Sequence, residues 1–445
     1  MKKKIISLLL CGAMLAGCLA GCGGTGNGQP GDAGEAAGTA ESTGGETADG
    51  AKEESSSPAG KIELTLMITN ETDPWAEPVK EMVQAKFPDY SLTFKNWDEP
   101  TVEQTVKTAF AANQAIDVVM YWPTYMKKFE GTGIPMELTP YVEADAEWRG
   151  GFTEGALEVG TTNEGLLSIP NSTNYPVLQI NTDILDEAGI ELKDNMSWED
   201  FMELCGKIKD YGKTPVAVQK DWAAWFVRNA FLQCWDNREE LDRFIAGEIS
   251  FKDERVVKAI DNIANMYNSD YVYPGGKEAV MTSADDAQAA FINGDAVMFC
   301  NVVANCQAVS AEVGDKFSIG VSSWPSMAAT EDMNVLLGSA GGFMIMSNTK
   351  HPDEAVEVLK YLTGKEVFQT MADLGSIVPS TEVTSSDENY QLYSRDSNKV
   401  YPDEVINLSS EIFDNMVYNQ PSNYLYNGEA ALDELDALRE AAISQ

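Results

Sequence analysis

Between residues 61 and 129 the hydrophobic repeat switches back and forth between a period of two and one of about 3.6 residues. This alternation restricts the fold more than any other feature of the chain. Ile62, Leu64 and Leu66 alternate with Glu63 and Thr65, which predicts a strand ending near Asn70. Helical spacing follows over 75–87, a short strand at 92–94, a helix over 101–115, an apolar strand at 116–121 and a helix start at 123–129. Strands and helices in this order predict a mainly parallel sheet covered by helices. Such sheets meet their ligands at the carboxyl ends of the strands, here 70–75 and Tyr121-Trp122.

The stretch 168–201 joins this lobe to a second. Its first part is apolar and partly β-branched, punctuated by Pro170 and Pro176, and reads as an extended segment passing through the molecule. Residues 181–189 read as a short helix with Ile184, Leu185 and Ala188 on one face and Gly189 as its stop. Ser197 with Asp200 three residues on resembles a capping box, opening a helix through Phe201 and Leu204. Beyond it, 215–218, 296–299 and 317–321 read as strands. Helices are predicted at 222–235, 255–267, 283–292, 351–362 and 429–442, and the glycine-rich segment 338–346 crosses back.

Charge narrows the partners. The chain carries 70 acidic against 31 basic side chains, a net −39, which repels nucleic acid and anionic lipid. Lys2 to Lys4 followed by an apolar run from Ile5 to Leu15 form a secretion leader. Two tetrapeptides follow, Leu15-Ala16-Gly17-Cys18 and Leu19-Ala20-Gly21-Cys22, each resembling the bacterial lipobox in which the cysteine is lipid-modified. Cys22 is favoured over Cys18, because a Gly/Ala/Ser/Thr-rich segment begins directly after it. That segment, 23–60, is too poor in large apolar residues to offset its ordering entropy, so it is predicted to be a disordered tether spanning roughly 35 Å. Cys205, Cys234, Cys300 and Cys306 lack metal or redox spacing. Cys300 and Cys306 are either a pair or buried thiols.

Ten landmarks now come in a recognisable order. They are Asp117-Val118-Val119 with Tyr121-Trp122, the segment 133–138, Ile169-Pro170, and Ile180 to Asp183 with Glu187 to Ile190. Ser197 to Phe201, Phe291 to Met298, Gly341-Gly342 and Lys350 to Ala355 follow, then Val378-Pro379-Ser380 and Gly428-Glu429. With the lipobox, this order resembles the extracellular solute-binding lipoproteins of family 1, maltose-binding-protein-like, which serve carbohydrate ABC importers. The resemblance implies an α/β fold of the periplasmic-binding-protein-like type II, with two lobes joined by a multi-crossing hinge. It places lobe 1 at 61–172 with 338–385, lobe 2 at 173–337 with 386–445, and hinge crossings at 169–175 and 337–342. It further implies a monomeric binding protein, not an enzyme, without cofactor or metal. Lipid-anchored outside the cell membrane, it would pass an oligosaccharide to ABC permease subunits. One departure stands out. Where the family commonly has Gly-x-Trp after Val297-Met298, residues 301–305 hold no aromatic, so another residue must supply that platform or the ligand differs.

A sugar site needs flat aromatic faces together with amides and carboxylates that donate and accept. Trp122 just after a strand, Asp73 and Trp75 after the first strand, and Asn174 and Tyr175 at the first crossing are therefore candidates. So are Trp222 and Trp225 on one helix face, Asn301 and Asn305 where the tryptophan is missing, Trp324 before the second crossing, and Gly341 within it. Packing in the core is the alternative for each of these tryptophans, Trp198 is assigned to packing, and Trp97, Trp148 and Trp235 to core or surface. Catalytic signals are poor. The single histidine, His351, precedes Pro352 at a helix start, and no HExxH, GxSxG, Walker A or GxGxxG motif occurs from residue 61 onward. Within the binding class, a polyol, peptide or other polar solute is the alternative to sugar.

Overall fold

The computed structural model describes residues 61–69, 71, 73–98, 101–402 and 419–443. Both candidate lipidation cysteines, the leader and the tether lie outside the described residues. The strands are β1 (Ile62–Met67), β2 (Tyr90–Phe94), β3 (Val118–Met120), β4 (Thr161–Thr162), β5 (Gly165–Leu166) and β6 (Ile169–Asn174). Then come β7 (Pro176–Asn181), β8 (Thr214–Ala217), β9 (Ala296–Val302), β10 (Ile319–Ser323), β11 (Leu336–Ile345) and β12 (Val400–Pro402).

Two sheets define two lobes. The first runs β12-β11-β3-β1-β2, with β6 also on β11, and the second runs β10-β7-β9-β8. β1 pairs in parallel with β2 and β3, as helical crossovers require. The sheet as a whole is mixed, however, because β11 runs antiparallel to both β3 and β6. The reason is the route of the chain: β6 leaves the first lobe and β11 returns to it, and strands that travel opposite ways between lobes must be antiparallel.

Local chemistry sets the boundaries around the first crossing. Asn181 caps the helix Thr182–Ala188 by accepting from the Ile184 N–H at 3.2 Å, and Gly189 ends it in a left-handed conformation (φ 64°). Ser197 and Asp200 form both bonds of a capping box ahead of Trp198–Asp210, at 3.1 and 3.2 Å. That helix buries Trp198, Phe201, Leu204, Cys205 and Ile208 in the core. Helices at Arg238–Ile245, Val303–Val313, Lys365–Asp373 and Glu388–Ser394 were not anticipated from the sequence. All four cysteines of the body are buried free thiols, so Cys300 and Cys306 do not pair.

The chain passes between the sheets at Tyr175, between β6 and β7, and again between β10 and β11. The helix Lys220–Gln233 of the second lobe pins that second passage. Asn229 accepts from the Leu337 N–H at 2.9 Å, and the Gln233 amide donates to the Val335 carbonyl at 2.5 Å and accepts from the Met327 N–H at 2.8 Å. A third passage leads to Glu388–Ser394, where the Tyr393 hydroxyl lies 3.2 Å from the Gln179 amide of β7.

These passages press together at Gly338. A Cβ there would lie 2.6 Å from the Asn174 carbonyl oxygen, closer still to Val400 Cγ1, and 3.3 Å from Tyr175 Cβ. Backbone cannot step aside as the tip of a side chain can. We predict that Gly338→Ala lowers unfolding free energy by about 1–3 kcal/mol, the usual cost of overpacking. Urea unfolding measures it, and an unchanged midpoint would show that the crossings separate without cost.

Candidate functional site

A cavity of about 590 Å³ opens on the hinge strands. Its base is Pro170 and Thr173 of β6, Gly338 to Ala340 of β11, and Val400 and Tyr401 of β12. Residues 153–156, 158–159 and 377–379 line it from the first lobe, and Arg238, at the start of a second-lobe helix, lines it as well. Six of its lining residues carry hydroxyls, Thr124, Thr153, Thr173, Ser339, Ser397 and Tyr401, and two carry carboxylates, Glu154 and Glu158. The Thr124 hydroxyl is buried without a hydrogen-bond partner. Arg238 donates from Nε to Asp242 at 3.2 Å, and its guanidinium lies 4.2 Å from the centre of the Tyr401 ring. Acceptors and donors on separate walls, with one aromatic ring between apolar side chains, suit a polar ligand that has some apolar surface.

None of the eleven candidate residues named from the sequence lines this cavity, although the chain neighbours of two of them do, Thr173 and Ala340, and Thr124 lies two residues beyond Trp122. Trp122 is half-buried in a lobe 1 aromatic cluster, 5.4 Å from Trp97, 5.3 Å from Tyr121 and 5.8 Å from Tyr125 between ring centres. Trp222 and Trp225 are also half-buried. Trp222 lies against Phe299 at 5.7 Å, and Trp225 lies beneath the Arg228 guanidinium at 5.2 Å. Asn174 accepts from the Ala304 N–H at 3.1 Å, which spans the two sheets' elements. Asp73 is half-buried, and its carbonyl accepts from the Ala76 N–H at 3.0 Å.

The others sit in the interior. Trp75 precedes the helix Ala76–Lys86, and its ring is buried in the core. Trp324 stacks on Phe226 at 4.0 Å and donates to the Val177 carbonyl at 3.0 Å, while Tyr175 is buried with its hydroxyl unpartnered. Gly341 stands at a register shift between β6 and β11, where a Cβ would meet the Asn171 and Ser172 side chains. Asn301 is fully buried in β9; its amide donates to Gln179 at 2.6 Å and its oxygen accepts from the Val302 N–H at 2.8 Å. Asn305 is exposed on the helix Val303–Val313. The place of the missing tryptophan is thus taken by an interior amide with a partner for both ends.

The residues that sequence reasoning missed are Glu154, Glu158, Arg238 and Tyr401. Only Tyr401 carried a local signal, as the middle of the extended Val400-Tyr401-Pro402. Near it, Asp396 ties the segment that leads into β12 to the end of β10. It accepts from the Ser323 hydroxyl and pairs with Lys399 at 3.2 Å and Arg395 at 3.4 Å, and Arg395 also donates to the Val321 carbonyl at 2.8 Å. Burial alone would raise the Asp396 carboxyl, but the Ser323 hydroxyl and the Lys399 and Arg395 charges outweigh it and hold the group below the usual range. A depressed folded-state pKa stabilises above the unfolded value, near 3.8, and is lost as pH falls through the folded value. Asp396→Asn is therefore expected to cost about 1–3 kcal/mol at neutral pH. The gap between it and the natural protein should narrow on thermal unfolding below pH 4 or so, and a gap constant from pH 7 to pH 3 would refute the linkage.

Comparison with known proteins places this geometry. The family described as "Bacterial extracellular solute-binding protein" matches residues 79–396. The arabinooligosaccharide-binding protein of Bacillus subtilis (strain 168) is 24% identical over 230 residues, 50% of this chain and 51% of that one. The multiple sugar-binding protein of Streptococcus mutans is 22% identical over 238 residues, 52% and 55% of the two chains. This chain thus spans about half the length of the curated relatives it matches. Among solved structures, the apo form of RafE from Streptococcus pneumoniae superposes with a TM-score of 0.70 at 19% identity, covering 87% of this chain and 99% of that one. That likeness establishes the two-lobed fold.

Proposed function

The chain belongs to the bacterial extracellular solute-binding proteins, a family of binding proteins rather than enzymes, and on that premise we propose that it captures an oligosaccharide in the hinge cavity and delivers it to an ABC importer. The observation that carries the reading is the cavity itself. Its volume of about 590 Å³ falls within the usual span of small-ligand sites, about 300–1,000 Å³. Hydroxyls, carboxylates and a guanidinium surround it, so a ring of ligand hydroxyls finds both acceptors and donors. The names of the two curated relatives, one for arabinooligosaccharides and one for multiple sugars, support a saccharide.

Closure is the mechanism. Lobe 1 is 61–172 with 338–385, and lobe 2 is 173–337 with 386–445, except that β12 of the last segment joins the first sheet beside β11. A ligand that touches both only when they are closed shifts the open–closed equilibrium by its difference in affinity for the two states. Permease subunits then read the closed shape. The half-buried candidates Trp122, Trp222, Trp225 and Asn174 are proposed to add ligand contacts on closure, since each keeps part of its surface exposed. The chain acts as a monomer, held at the outer face of the membrane by a lipid on Cys22 (or Cys18).

Two measurements test this reading. A thermal-shift screen of the purified protein against neutral oligosaccharides, monosaccharides, polyols and peptides should raise the melting temperature with one saccharide class. The stabilisation is about 2.7 kcal/mol at a hundredfold excess over Kd. A shift with a peptide or polyol alone would retain capture and reject sugar. For the anchor, Cys22→Ser should abolish incorporation of a labelled fatty acid in cells, while Cys18→Ser leaves it intact; the opposite pattern would move the anchor to Cys18.

A further inference from the structure

Resting on the saccharide reading above, we propose that Tyr401, braced by Arg238, is the stacking platform of the ligand site and takes the apolar face of an uncharged sugar ring. Among the described residues lining the cavity, Tyr401 is the aromatic one. In the span 301–305 that lacks a tryptophan, Asn301 at the end of β9 is buried and committed to Gln179, so that strand end offers no ring. A saccharide site without a flat apolar face would leave the C–H surface of the sugar unmatched.

Tyr401 is mounted for the task. Its Cα pairs with Leu337 in the parallel β11–β12 ladder, and the Leu337 N–H is held in turn by Asn229. Beside the ring, the Arg238 guanidinium sits 4.2 Å from its centre, and Asp242 fixes the guanidinium by accepting from Nε at 3.2 Å. Strand pairing and the guanidinium restrict the ring before any ligand arrives, so less freedom is lost on stacking. The half-buried ring keeps surface toward the cavity.

The charges around it select the ligand class. Glu154 and Glu158 line the same cavity, are exposed, and have no side-chain hydrogen bond or ion pair among the described residues. The one guanidinium is already paired with Asp242. Hydroxyls of a neutral sugar can donate to those carboxylates, whereas a uronate would meet two like charges and a neutralised cation.

The test is a calorimetric titration with raffinose and with arabino-, xylo- and malto-oligosaccharides, alongside an oligogalacturonide. Tyr401→Ala should weaken binding of the saccharide taken by the natural protein about tenfold or more, and Tyr401→Phe should stay within about threefold. Tyr401→Leu keeps the bulk and removes the plane, and it should fall with Tyr401→Ala even if the smaller residue disturbs folding. Arg238→Gln should lie between, because the ring remains but loses its brace. Unchanged affinity in the Tyr401→Leu protein, with the natural protein binding normally, overturns the platform alone. Oligogalacturonide bound as tightly as the neutral sugars overturns the assignment to an uncharged ring. If the natural protein binds none of these saccharides, the platform falls together with the saccharide reading.

Discussion

The structure depends on how closely its inter-lobe passages approach one another. At Gly338 the main chain lies so near the Asn174 carbonyl and the Val400 side chain that no Cβ fits. β11 is the strand that makes this contact. It pairs with β3 inside the first lobe, with β6 at the first passage and with β12 at the third. Ladder hydrogen bonds therefore connect passages that are far apart in sequence, and a side chain wedged between them would loosen all of them together. The base of the cavity is built from these same strands, so the shape offered to a ligand and the geometry of the hinge are set by one group of residues.

The ends of the passages are fastened by polar groups removed from water, where hydrogen bonds are worth most and most costly to leave unmade. On one side, Asn229 and Gln233 project from a buried helix onto the backbone at 335–337. On the other, Asp396 takes a hydroxyl and two cations at the end of β10. Deeper in the second lobe, Gln179 joins β7 to Asn301 of β9 and to the Tyr393 hydroxyl. Burial pushes that phenol above its usual range, and its oxygen accepts from the Gln179 amide. Between these fastenings lies little more than Tyr175 on the first passage, so rotation between lobes is confined to a few residues.

Much of this architecture was legible in the sequence because it is written in short-range chemistry. The Ser197–Asp200 box, the Asn181 cap, the Gly189 stop and the Pro352 helix start each act over a single turn, and each lies where the pattern placed it. The mixed direction of the first sheet was not legible, since it follows from the order in which strands visit two lobes. The site was harder still. Aromatics at strand ends were the natural candidates, yet Trp324 is enclosed by Phe226 and the β7 backbone, and the Trp75 ring is drawn into the core at its helix start. Nothing in a single sequence separates a tryptophan that packs from one that waits for a ligand. Glu154 sits in a turn and Arg238 follows an Asn cap, so neither position announces a cavity; long-range folding brings them there.

Where each group is mounted decides what its contact with a ligand accomplishes. A ligand moves the open–closed equilibrium only by the difference between its affinities for the two states. Tyr401 pairs with Leu337 on the ladder beside β11, so the proposed contact with a sugar face would change little as the lobes rotate and would contribute to affinity in both states. Glu154 and Glu158 belong to the first lobe, whereas Arg238 begins a helix of the second, and their separation is what rotation alters. In the proposed mechanism the polar contacts across the cavity would therefore supply the difference that drives closure. A ligand with a matching apolar face but too short to span those groups would bind without closing the protein. On the proposed function, one cavity would in this way separate recognition of a ring from commitment to transport.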